Sequence, residues 1–160
     1  MRILHRVVLA IGTVVLALAG LTVGLAGAAP GDHAARDGVK LAAKLDGAQE
    51  VPGPGDPDGF GSARLTVFPD QVCVYLKVSR IQLPTTAAHI HRGVRGVAGP
   101  VVVTLPNPAT GEADGCVPID RELAKELVNM PSGFYVNVHN DEFPDGAIRG
   151  QLSRHKLHDA

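Results

Sequence analysis

Tryptophan is absent from this 160-residue chain, which holds two tyrosines and four phenylalanines. So few rings exclude a platform that stacks sugars on aromatic faces. Positive charge is not in excess either. Fifteen Lys and Arg stand against sixteen Asp and Glu, a formal charge of −1, and no basic stripe invites nucleic acid. Neither an exposed aromatic patch nor a charged groove can be read from the order of residues. The two cysteines, Cys73 and Cys116, form no C-x-x-C pair, so a thiolate metal site is excluded. A nucleophile elbow, a catalytic cysteine with its base and a D-x-D-x-D-G calcium loop are all missing. Gly93, Gly96 and Gly99 shape a loop with Pro100, but no helix follows to hold a phosphate.

The one long apolar run covers residues 7–25, behind Arg2 and Arg6 and ahead of Ala26-Gly27-Ala28. This is the layout of a secretory signal peptide at 1–28. An uncleaved anchor is the rival reading, since the run approaches the roughly 20 residues that span a bilayer; the small residues and the polar stretch after it favour cleavage. No cysteine follows the run, which excludes a lipoprotein anchor. Cleavage leaves 132 residues, one domain's worth, and removing the two arginines shifts the formal charge from −1 to −3. The expected location is outside the cell or in its envelope, with membrane contact only through the leader before cleavage. Residues 29–38 read as a flexible linker and 154–160 as a polar tail. In an exported chain two cysteines predict a disulfide, Cys73 to Cys116; the alternative is two separate buried thiols.

Alternation dominates what remains. Val39, Leu41, Ala43 and Leu45 share one face opposite Lys40 and Lys44; Ala63, Leu65 and Val67 repeat the pattern, and so do Val72, Val74, Leu76 and Val78. Shorter strands fit 87–91, 101–105, 134–139 and 147–152. Period-two segments divided by Gly and Pro clusters predict an antiparallel sandwich or barrel. Residues 68–71 read as a hairpin joint, and the Pro- and Gly-rich stretch 52–59 as an irregular loop. One helix is expected, capped by Asp120, with Leu123 and Leu127 one turn apart and Pro131 to stop it. Glu122, Lys125 and Glu126 read as its solvated face.

Four motifs occur in order: Gln49-Glu50-Val51-Pro52; Thr86-Ala87-Ala88-His89-Ile90-His91-Arg92-Gly93; Gly99-Pro100-Val101-Val102-Val103-Thr104-Leu105; and Tyr135-Val136-Asn137-Val138-His139 with Gly146-Ala147-Ile148-Arg149-Gly150-Gln151-Leu152. Together they resemble the CHRD domain, first named in chordin, over about residues 41–152 of a domain at 39–153. The resemblance implies an all-β, antiparallel, immunoglobulin-like or superoxide-dismutase-like β-sandwich with one short helix. It assigns no activity, since fold and family name are not function.

His89 and His91, two apart on a strand, project side by side, and His139 lies on another strand. One reading is a metal site: three imidazoles around Cu or Zn with a position left open, and Asp141 or Glu142 as a further ligand or an orienting carboxylate. The pair resembles the copper-binding strand of Cu/Zn superoxide dismutases. Those enzymes hold copper with four histidines, however, and the motifs here supply three; His33, His155 and His158 lie in the linker and the tail. The other reading is structural: His89, His91, Asn137 and His139 tie down the loops 92–100 and 140–146. Glu50 and Arg149 are expected to pair and staple the first strand to the last, with Arg149 as an anion guide the functional variant. The function expected is an exported, non-enzymatic binding or structural module with an extracellular or envelope protein partner. A copper or zinc protein, redox-active in a dismutase-like way, is the alternative.

Overall fold

The structure, a computed structural model, describes residues 38–154. The signal peptide at 1–28, the linker up to residue 37, His33, His155 and His158 lie outside the described residues. Among the described residues no helix is long and apolar enough to cross a membrane.

Among the described residues nine strands make the fold: β1 Val39–Asp46, β2 Phe60–Val67, β3 Gln71–Ser79, β4 Thr85–Arg92, β5 Val101–Thr104, β6 Glu112–Pro118, β7 Phe134–Asn140, β8 Ile148–Gln151 and β9 Ser153–Arg154. All pairings are antiparallel, in the order β5-β4-β7-β8-β1-β2-β3-β6, with β9 against β1. The fold is therefore all-β with one short helix, as expected. The two halves of the sheet face each other across one core, in which Leu41 and Leu65 of one half meet Ile90, Val136 and Ile148 of the other. The halves join weakly, through the single pair Asp46–Arg149 between β1 and β8. Farther along β1, Leu41 and Ala42 pair with β9 instead, so Arg154 belongs to the sheet and not to the polar tail.

The core follows from the alternation. Alternate residues are buried from Leu41 to Leu45, Ala63 to Val67 and Val72 to Val78, and a fully buried Leu, Ile or Val contributes roughly 1.5–3 kcal/mol. Helix α1, Arg121–Asn129, is capped by Asp120, whose Oδ1 accepts from Leu123 N at 2.7 Å. It buries Ala124 and Leu127, with Leu123 half-buried against the same core. Phe68 N donates to Gln71 O and closes the β2–β3 hairpin.

Strand β6 is absent from the sequence-based strands. Its inward positions are Ala113, Gly115 and Val117, with a single large apolar residue to signal a core face, yet it pairs with β3 over seven residues. That pairing sets Cys73 opposite Cys116, and the two form a disulfide.

Candidate metal centre

Strand β4 carries His89 and His91 on its outward face because Ile90 between them is fully buried in the core. Strand β7 does the same with Tyr135, Asn137 and His139, since Phe134, Val136 and Val138 are core residues. The register places His91 opposite Tyr135, His89 opposite Asn137, and Ala87 opposite His139. Two irregularities lie in and before the pair of histidines: one against β5 between Ile90 and His91, one against β7 between Thr85 and Ala87. Bulges of this kind add local twist and re-aim side chains. The three imidazoles converge, and one ring nitrogen from each lies within 4.8 Å of the other two.

Hydrogen bonds set the protons on these rings. His91 Nδ1 donates to Gly99 O at 2.7 Å, and His139 Nδ1 donates to Pro144 O at 2.9 Å. A carbonyl only accepts, so both rings carry their proton on Nδ1 and offer Nε2 as a lone pair. His89 Nδ1 donates to His139 Nε2 at 3.2 Å. His91 Nε2 is buried and has no partner, an arrangement that costs roughly 1–3 kcal/mol if left so.

Three imidazole nitrogens with backbone carbonyls behind two of them suit Zn or Cu, which bind such nitrogens at about 2 Å. Two nitrogens on one such ion stand at most roughly 4 Å apart, so a small ring rotation would close the set. His89 would join it by moving its proton from Nδ1 to Nε2. Burial lowers the His89 pKa to about 4, helped by repulsion from His139 and His91. Burial likewise lowers that of His139. Both rings are therefore neutral near pH 7, the form that ligates metal.

The other expected site residues divide. Asp141 and Glu142 are exposed and stand outside the histidine cluster. Glu142 contributes only its backbone N–H, to Gln82 Oε1. Asn137 is buried, but its Oδ1 has no partner and it ties down neither loop. The loops are tied instead by His91 through Gly99 O, by His139 through Pro144 O, and by Asn140, which donates to Gln82 O and accepts from Phe143 N.

Glu50 and Arg149 are both buried, yet they do not form the expected ion pair, which is missing from the pairs made among the described residues. Arg149 instead lies over the Tyr135 ring, its guanidinium carbon 3.4 Å from the ring centroid, and Nη2 donates to Val94 O. Glu50 packs against Gly146, whose backbone is left-handed at φ +143° and whose missing side chain leaves room for the carboxylate. Burial raises the Glu50 pKa to about 7, with Arg149 opposing. Arg149 acts on Glu50 at a distance, by Coulomb attraction alone.

Tyr135 and Gln151 were not among the expected site residues. Tyr135 stacks on His91 and accepts from Gly99 N. Gln151 Nε2 reaches the carbonyls of Gly93, Ser132 and Phe134. The signal for Tyr135 was present, since it alternates with Asn137 and His139 along one strand.

Neither the search of curated proteins nor that of solved structures returned a match. The family model of the CHRD domain matches residues 41–152. That span holds all three histidines, the disulfide and every strand but the last, and the chain belongs to the CHRD family.

Proposed function

We propose that this CHRD domain is an exported, non-enzymatic module that holds Zn(II) or Cu(II) on His89, His91 and His139 and presents it to an extracellular or envelope partner. The observation that carries the reading is the buried His91 Nε2, a lone pair without a donor, held in that tautomer by Gly99 O. A hydrogen-bonded histidine network accounts for His89 and His139 but leaves this atom unexplained. Export is supported by the N-terminal layout and by the Cys73–Cys116 bridge, since disulfides persist in oxidising compartments.

Bound copper would supply one-electron chemistry at its open position. Arg149, the expected anion guide, is 1 % exposed; its Nη2 donates to Val94 O and its guanidinium lies over the Tyr135 ring, while its Nη1 is buried without a partner. This favours binding over turnover. The test uses the chain without an affinity tag, loaded with Zn(II) or Cu(II), dialysed and assayed for bound metal. About one equivalent is expected on the wild type and on a His155→Ala/His158→Ala variant, and none on a folded His91→Ala variant. A wild type that retains no metal overturns the reading.

A further inference from the structure

Strands β1, β2 and β3 send alternate side chains to the core, so the residues between them make a second surface that faces solvent. The register sets Ala42, Arg64 and Tyr75 in one row and Lys44, Ser62 and Lys77 in the next, with Lys40 opposite Thr66 beyond them. Lys40, Lys44, Arg64 and Lys77 are all exposed. Strands β2 and β3 contain no acidic residue, and β1 has only Asp46 at its end, where Gln49 takes up both carboxylate oxygens. Arg95 joins from the loop after β4. With Lys44, Arg64 and Lys77 it lines a trough of about 920 Å³. Arg64 and Tyr75 also line an adjoining groove that reaches Lys40, so the cationic floor is continuous.

Acidic groups also stand along the β6 wall. Glu112 on β6 holds Lys77 at 2.5 Å and accepts from Tyr75 Oη at 3.0 Å, and Asp114 lies opposite Tyr75. A chain whose formal charge is negative thus collects cations on one concave face, where the field is focused.

We propose that this trough binds a linear acidic polysaccharide. The cations are spread, not convergent: Lys44 and Lys77 stand two strands apart, roughly 10 Å, and Lys40 and Lys44 four residues apart, roughly 13 Å. A compact anion such as phosphate needs charges aimed at one point, whereas an extended polyanion meets them in turn. Ser62 lies between Lys44 and Lys77, Thr66 lies beside Lys40, and both offer hydroxyls to sugar hydroxyls. The large exposed apolar residues Phe60, Leu83, Val94, Val97, Val101 and Met130 all lie outside the trough, so it has nothing to insert into a bilayer. The Tyr75 ring is covered by the Arg64 guanidinium at 5.0 Å and is closed to stacking by a base.

The experiment is electrophoresis of the full chain through native gels containing polygalacturonate, or uncharged dextran as reference. Retardation by polygalacturonate is expected at low salt, and its loss at about 1 M salt, where the Debye length falls to about 3 Å. Lys44→Glu/Arg64→Glu and, separately, Lys40→Glu/Lys44→Glu should each weaken binding roughly tenfold with unchanged melting temperature. Lys125→Glu on the helix and His91→Ala should leave it intact, which separates this surface from the metal centre. Retardation no greater than in dextran, or undiminished in both double variants, overturns the proposal. So does equal or tighter binding to phosphatidylglycerol vesicles, duplex DNA or an acidic peptide.

Discussion

Tyr135 lies flat against His91, with ring centroids 4.8 Å apart and planes 10° from parallel. The two residues face each other across the β4–β7 ladder, and Arg149 covers the same tyrosine from β8 on the opposite side. The tyrosine hydroxyl accepts from Gly99 N, and Gly99 O in turn holds His91 Nδ1. One aromatic side chain thus sets both the plane of the imidazole and the carbonyl that fixes its proton.

Tyr135→Phe keeps the stack and removes the hydroxyl. Metal affinity, measured by competition with a chelator, should fall roughly tenfold, as for other groups that support a ligand from behind. Stability should fall by only about 1 kcal/mol. A larger loss of stability with unchanged affinity would place Tyr135 in the scaffold alone.

Glu50 makes stability depend on pH in the direction opposite to a salt-bridged carboxylate. Below pH 4.5 it is protonated in both the folded and the unfolded chain, and burial costs nothing extra. Between pH 4.5 and about 7 only the unfolded chain ionises, so this group's contribution falls as pH rises. Above about pH 7 the folded chain carries the full penalty, about 3 kcal/mol. Glu50→Gln should therefore be more stable than the wild type at pH 8 by up to that amount and equal to it near pH 4. Denaturant titrations at the two pH values measure the difference, and a gain that does not depend on pH would refute the assignment.

The disulfide closes a loop of 43 residues between β3 and β6. Loop-closure entropy of that size corresponds to about 4 kcal/mol. Cys73→Ser/Cys116→Ser should lose that much stability while still retaining metal, because the bridge lies on the half of the sheet away from the histidines. Thermal unfolding with and without reductant checks the first expectation, and metal content after dialysis the second.

The strands with large apolar residues were legible in the sequence: β1, β2 and β3 declare themselves through Leu41, Leu65 and Val74, and β7 through Val136 and Val138. Strand β6 was not, because Val117 is the one large apolar residue among its inward positions and its role is to lie along an edge. The histidine cluster was legible as a set of residue types on two strands. Its protonation was not, since Gly99 O and Pro144 O come from loops whose path only the folded chain defines. The Glu50–Arg149 pairing failed because proximity in motif and strand end does not specify direction, and the Tyr135 ring took the guanidinium. The basic trough was invisible in one dimension: Lys40, Lys44, Arg64 and Lys77 become neighbours through strand register, and Arg95 reaches them from a loop.

Strand β7 is buried on both faces over Phe134, Tyr135, Val136, Asn137 and Val138, and its two sets of side chains interleave one by one. A single-residue insertion near its start would exchange them, driving Tyr135, Asn137 and His139 inward and turning Val136 and Val138 out. The same shift would empty the core and dismantle the histidine cluster at once. Variation along this strand is therefore confined to like-for-like replacement, and no frame-shifted variant can keep the fold while shedding the site.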